Sequence, residues 1–247
     1  MKVSVITNDN ICAVNELVLS AAAKTAAPTK PNMSLPMVLV LVPDRFTLQA
    51  EKILLQNHKS LLNTRVLTFS MLYNLVHEEI MGFEKSLENR VLDKTTAVLF
   101  MWRAIRTVRD RLQYFASSVD QYAFAEKMFN TINQLSSCNT DFTTLERNAA
   151  TDVTHRKMHD ISEMYGEYRQ LTGEFTDGSR MLAWLIENLH ASKIIKNANM
   201  FVTGFEHLSV QRAEVIRQLM YISGTFAAGV RTQSEIEGFI NEVRFAM

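Results

Sequence analysis

The chain has 247 residues, with 26 Lys and Arg balanced by 26 Asp and Glu. A formal net charge of zero excludes a small basic nucleic-acid module and leaves room only for a locally basic groove. With 47% hydrophobic residues, no long apolar run and two cysteines in unrelated contexts (Cys12, Cys138), disordered, membrane-spanning and disulfide-framework classes are excluded as well.

Lys2 to Thr7 reads as a first strand through Val3, Val5 and Ile6. Asn8-Asp9-Asn10 interrupts the apolar stretch, which speaks against a signal peptide, and Cys12 and Cys138 read as the thiols of a cytoplasmic protein. Asp9 or Asn10 can cap a helix from about Ile11 to Ala23. Pro28, Pro31 and Pro36 mark a loop, after which Met37 to Val42 is the strongest strand signal, stopped by Pro43. A helix is expected over Thr47–Asn57, a strand over Arg65–Phe69 and a helix over Met71–Met81. Strand and helix alternating through short connections predict an α/β domain with a parallel sheet and right-handed crossovers.

From about Phe83 to Ser192 the period is helical and no strand is expected. Four stripes carry the apolar faces: Ala97, Phe100, Met101, Ile105; Tyr122, Phe124, Ala125, Met128, Phe129, Ile132; Ile161, Met164, Tyr165, Tyr168, Leu171; and Met181, Leu182, Trp184, Leu185, Leu189. Met200, Phe201 and Val202 then form a short strand with no helical period, closed by Thr203-Gly204. Gln211–Met220 is a helix, Gly224–Val230 a strand, and Gln233–Met247 a last helix without a capping signal, as at the front of something longer. The expected division is 1–82 as a sheet domain, 83–195 as an inserted helical subdomain and 196–247 as the sheet domain continued.

The carboxyl edge of a parallel sheet is where such folds bind ligands. A nucleotide hydrolase needs a glycine-rich loop after its first strand and acidic residues closing a later one. Here the first loop has no glycine and no lysine, and the later strand ends in Thr203 and Gly204, the degenerate acid positions. No Gly-x-Ser-x-Gly elbow occurs, and Glu78-Glu79 reads as a solvated pair. His155 and His159, four apart, lack a clear third ligand and belong to a locally basic helix face. The remaining chemistry lies in three loops at predicted strand ends, which carry Arg45, Thr47, Phe69, Ser70, Phe205 and His207. Aromatic faces stack unpaired bases while Arg, Ser and Thr contact phosphates, and the same two phenylalanines equally suit loop anchors in the core.

Three stretches, in order, resemble the N-terminal region of the AddB/RexB family, one of the two subunits of bacterial ATP-dependent helicase/nucleases. They are Leu41-Val-Pro-Asp-Arg-Phe-Thr-Leu-Gln-Ala-Glu51, Val66-Leu-Thr-Phe-Ser-Met-Leu72, and Lys157-Met-His-Asp-Ile-Ser-Glu-Met-Tyr-Gly-Glu-Tyr168 leading to Phe201-Val-Thr-Gly-Phe205. The resemblance implies a helicase-like domain of the UvrD superfamily: a RecA-like sheet (1A) with an inserted helical 1B subdomain. Within it the chain looks RexB-like, its phosphate loop lost. It implies a non-catalytic segment that scans single-stranded DNA while an AddA/RexA motor partner processes double-strand ends. No cofactor is implied in these residues, because the family's iron–sulfur cysteines and Mg²⁺-dependent nuclease lie far downstream. Carried over by position, the DNA-scanning set is Arg45, Thr47, Phe69, Ser70, Met71, Asn74 and Phe205. Met71 and Asn74 replace the arginine and tryptophan of other members, and Thr203 replaces an aspartate. A docking domain for the motor subunit is the alternative, and a degenerate nucleotide-binding enzyme a third reading.

Overall fold

A computed structural model describes residues 2–26, 36–57, 63–137, 144, 147 and 149–245. His58, Cys138 and the prolines at 28 and 31 lie outside the described residues. By its contacts the chain forms two compact units, 1–86 with 182–247, and 87–181. Their borders fall inside helical stretches rather than at the changes of texture near 82 and 195, because packing follows buried faces and not composition.

The first unit is built on a five-stranded parallel sheet in the order β1-β7-β6-β2-β3. The strands are β1 (Lys2–Asn8), β2 (Val38–Leu41), β3 (Thr64–Leu67), β6 (Asn199–Val202) and β7 (Thr225–Arg231). Val40 pairs in register with Val66 on one side and Phe201 on the other. β2 is buried along its whole length, as expected of a central parallel strand covered on both faces. Helices α1 (Ile11–Thr25) and α2 (Thr47–Asn57) belong to one face, where Val14, Val18 and Leu54 pack with Val38, Val40, Phe201 and Ala227. The alternate residues Leu39, Leu41, Met200 and Phe226 are buried on the other face. This α/β arrangement is consistent with a RecA-like domain.

Local chemistry sets the boundaries. Asn10 caps α1, its side-chain oxygen accepting from Cys12 N–H at 2.9 Å. Thr68 caps α3 (Phe69–Met81), so Phe69 and Ser70 open a helix rather than finish the strand expected through residue 69. The strand stops at Leu67 because the Thr68 side chain accepts the orphan N–H of Met71. Gly82 ends α3 at φ 83, a conformation open to glycine. Glu79, expected in solvent beside Glu78, instead accepts from Ser192 Oγ and from the backbone N–H groups of Lys193 and Ile194 at 2.8 and 3.0 Å. That carboxylate satisfies the start of the short helix Lys193–Asn197.

The second unit is helical, with α5 (Lys94–Thr107), α6 (Tyr122–Ser137) and α7 (Asp152–Leu171) around a core of Ala97, Met101, Ile105, Phe129, Ile132 and Met164. The short helix α4 (Phe83–Glu88) spans its border with the first. Tyr122 departs from its predicted stripe: it is 45% exposed and meets the Trp102 ring edge-on, at a centroid distance of 6.3 Å. A second departure is a short parallel pair, β4 (Arg90–Val91) with β5 (Phe175–Thr176), where no strand was expected. Two-residue strands leave no period to read. Asp160 is fully buried and accepts backbone N–H groups from Gln113, Tyr114 and Phe115, each at 2.8 Å. Among the described residues no helix is long and apolar enough to cross a membrane.

Candidate functional site

Because every strand of the main sheet runs the same way, the segments after β2, β3 and β6 emerge at one edge. The chain steps outward from β2 to β3 and, on returning, from β6 to β7 in the opposite direction. The order therefore reverses between β2 and β6, the place where open α/β sheets take their ligands. At that reversal Arg45 donates to Glu206 at 2.8 Å, both side chains being well exposed. Gly204 takes φ 84, and a Cβ there would stand 3.1 Å from both Phe46 Cδ1 and Pro43 Cδ, so the turn is closed tightly on the segment after β2.

The predicted residues separate into two groups. Phe69 and Phe205 come together, ring centroids 5.6 Å apart and tilted. Phe205 is buried and Phe69 half-buried. Arg212, in helix α10 (Val210–Ile222; the helix Gly178–Asn188 is α8 and Lys193–Asn197 is α9), places its guanidinium carbon 5.4 Å from the Phe69 centroid. Ser70 is exposed and its hydroxyl contacts that of Thr68 at 2.9 Å, while Thr47 donates its hydroxyl to the Asp44 carbonyl. Met71 and Asn74 are exposed on α3 and line a different opening, a groove of about 570 Å³ beside the edge strand β3 with Leu55, Arg65 and the acids Glu51 and Glu78. Sequence reasoning missed Arg212 and Glu206. Arg212 follows the Ser209 cap by three residues, but nothing in one dimension places it over Phe69.

The corner between α1 and the ends of β6 and β7 is filled by side chains. Thr203 is buried and donates to Asn15 Oδ1 at 2.8 Å, joining α1 to the end of β6. Beneath them Gly229 of β7 lies so close to α1 that a Cβ would stand 2.4 Å from Val18 Cγ2 and 2.7 Å from Thr203 Oγ1. The residual cleft in front, about 270 Å³, is lined by Glu16 and Glu206 with Arg45, and that arginine is already paired. Two carboxylates and a helix start capped by Asn10 are a poor cradle for a polyphosphate. Among the described residues no group of three or more His, Cys, Asp or Glu is placed to hold a metal ion. His155 is exposed on α7.

A family model for the N-terminal region of AddB matches residues 23–235. The chain belongs to that family. Curated relatives, named as the B-type subunit of an ATP-dependent helicase/deoxyribonuclease, agree. A Bacillus thuringiensis (strain Al Hakam) protein is 24% identical over 196 residues, and one from Listeria innocua serovar 6a is 27% identical over 187. In both cases the match covers 74% of this chain and 16% of the relative, so the chain spans about a sixth of the length of the AddB-type proteins it matches.

Proposed function

We propose that this AddB-type chain is a non-catalytic, helicase-like segment of a helicase/nuclease complex, and that it binds single-stranded DNA during double-strand break repair by recombination. In this reading the sheet unit is the 1A domain, the helical unit the inserted 1B, and an AddA/RexA-type partner supplies the motor in the cytoplasm. No cofactor belongs to the segment itself; the iron–sulfur cluster and Mg²⁺ belong to sequence further along the full-length AddB-type protein.

The observation that carries the proposal is the corner between α1 and the end of β6, where Thr203 is buried against Asn15 and the small cleft in front is lined by Glu16 and Glu206. In this reading the domain keeps the ligand-binding edge of its fold without the chemistry of hydrolysis. What the edge offers instead is Arg45, Ser70, and Arg212 over Phe69, groups suited to phosphate contact and base stacking. The candidate contact set is Arg45, Thr47, Phe69, Ser70, Met71, Asn74 and Phe205, joined by Arg212. Their division between two surfaces fits a strand running from the strand-order reversal along α3.

The test is anisotropy of a labelled single-stranded oligonucleotide titrated with the chain at two salt concentrations. Binding that weakens with salt and with Arg45→Ala and Phe69→Ala supports the reading. A second reading, a docking domain for the motor subunit, is favoured by the burial of Phe205 and the pairing of Arg45 with Glu206. It predicts that these variants leave oligonucleotide binding unchanged.

A further inference from the structure

The helical unit contains a cleft of about 540 Å³ at the turn after α7, lined by Arg169, Gln170, Glu174, Phe175, Thr176 and Arg180. Arg180 is partly buried, and its Nη1 donates to the carbonyls of both Thr172 and Phe175. Those contacts close the end of α7 and hold the planar guanidinium in one orientation. Asp177 takes the backbone N–H of Arg180 at 2.9 Å, fixing the same turn from below. The two carbonyls occupy one nitrogen of the fork, and the side chain forms part of the cleft wall. Arg169, exposed on the last turn of α7, also lines the opening, its guanidinium carbon 5.9 Å from the centroid of the Tyr165 ring. The acid on the rim, Glu174, pairs with Arg90 of β4 at 3.3 Å, so its charge is offset on that side. Nearby, the buried hydroxyl of Tyr168 has no hydrogen-bond partner, and the charges of Asp177, Arg180 and Arg169 all act on it.

We infer that this cleft is a phosphate-binding site, and that its ligand is a backbone phosphate of a nucleic-acid strand. Two arginines lining one opening can bind a phosphate by forked, charge-assisted hydrogen bonds, Arg180 through its free nitrogens and Arg169 by turning from Tyr165. One of them is held in place before the ligand arrives, which lowers the cost of ordering it. The cleft is wide and open, suited to a polymer passing over it more than to a small molecule enclosed within it. It lies wholly in the unit 87–181 and shares no residue with the sheet-edge site, so it stands or falls independently of the proposal for that site.

The experiment titrates the full chain against a labelled 20-nucleotide oligo(dT) at low and moderate salt, using wild type, Arg169→Gln, Arg169→Glu and Arg45→Ala. The result expected is an affinity loss on the order of fivefold for Arg169→Gln and more for Arg169→Glu, with the salt slope reduced by about one. Arg169 is exposed, so folding is preserved, and thermal melts check it. Competition by inorganic phosphate separates the two sources of phosphate: a polymer site yields only at high phosphate concentration. Displacement at low phosphate concentration would show a small-anion site and overturn the assignment to a strand. If Arg45→Ala weakens binding while both Arg169 variants match wild type, the cleft inference is overturned and the sheet-edge reading stands. If the reverse holds, the cleft stands and the sheet-edge reading falls. No oligonucleotide binding by wild type at low salt overturns both.

Discussion

Two places on the same sheet edge have taken opposite courses. Between α1 and the ends of β6 and β7, Val14, Val18, Asn15 and Thr203 are packed over Gly229, and the small cleft left in front is lined by Glu16 and Glu206. One connection away, between β2, β3 and β6, Arg45, Ser70 and Arg212 remain exposed. A fold's binding edge is thus not one property. It is a row of loops, each of which side-chain volume can close or leave open on its own.

The closed place is the more sensitive to substitution. Gly229→Ala brings a methyl to within 2.4 Å of Val18 Cγ2, and overpacking there should cost about 3 kcal/mol, read as a drop in the urea midpoint at unchanged slope. An unaltered midpoint would mean that α1 can lift from the sheet and that the place is not sealed. Thr203→Val leaves the Asn15 amide oxygen without its partner and should cost about 1–2 kcal/mol by the same assay. Thr203→Asp, which restores an acid, should not create Mg²⁺-dependent nucleotide binding in a calorimetric titration.

His77 sharpens the contrast by assigning pH sensitivity to a core well inside the first unit. Its ring lies between Tyr73 and Trp184, at 5.1 and 5.0 Å, and desolvation by burial holds its pKa below the ordinary 6.5. The unfolded chain then binds the proton more readily than the folded one. Stability is therefore fully present above about pH 6.5 and declines as pH falls through the range between 6.5 and the lowered value. Urea midpoints measured across that range should slope in wild type and flatten in His77→Phe. The smallest stability effect belongs to the open place: Arg45→Ala breaks an exposed pair and should move stability by less than about 1 kcal/mol, while weakening oligonucleotide binding.

Much of this was legible in one dimension. Met37 to Val42 announced a central strand because an unbroken apolar run stopped by a proline fits nothing else so well, and Met200 to Val202 announced its neighbour β6. The β4–β5 pair was not legible because two residues carry no period. Nor was Glu79, whose partners lie more than a hundred residues away at Ser192 to Ile194. The site was half visible for the same reason. Arg45 and Phe69 stand in recognisable loops, but Glu206 opposite Arg45 and Arg212 over Phe69 are products of the crossovers.

The central proposal is that this edge takes a single strand and not a nucleotide. Hydrogen exchange on the full chain, with and without a single-stranded oligonucleotide and separately with Mg²⁺–ATP, tests it most directly. The account predicts that the oligonucleotide slows exchange in 44–47, 69–74 and 204–212, and that Mg²⁺–ATP changes nothing in 8–15. Protection of 8–15 by Mg²⁺–ATP, with the oligonucleotide leaving the other segments untouched, would contradict it.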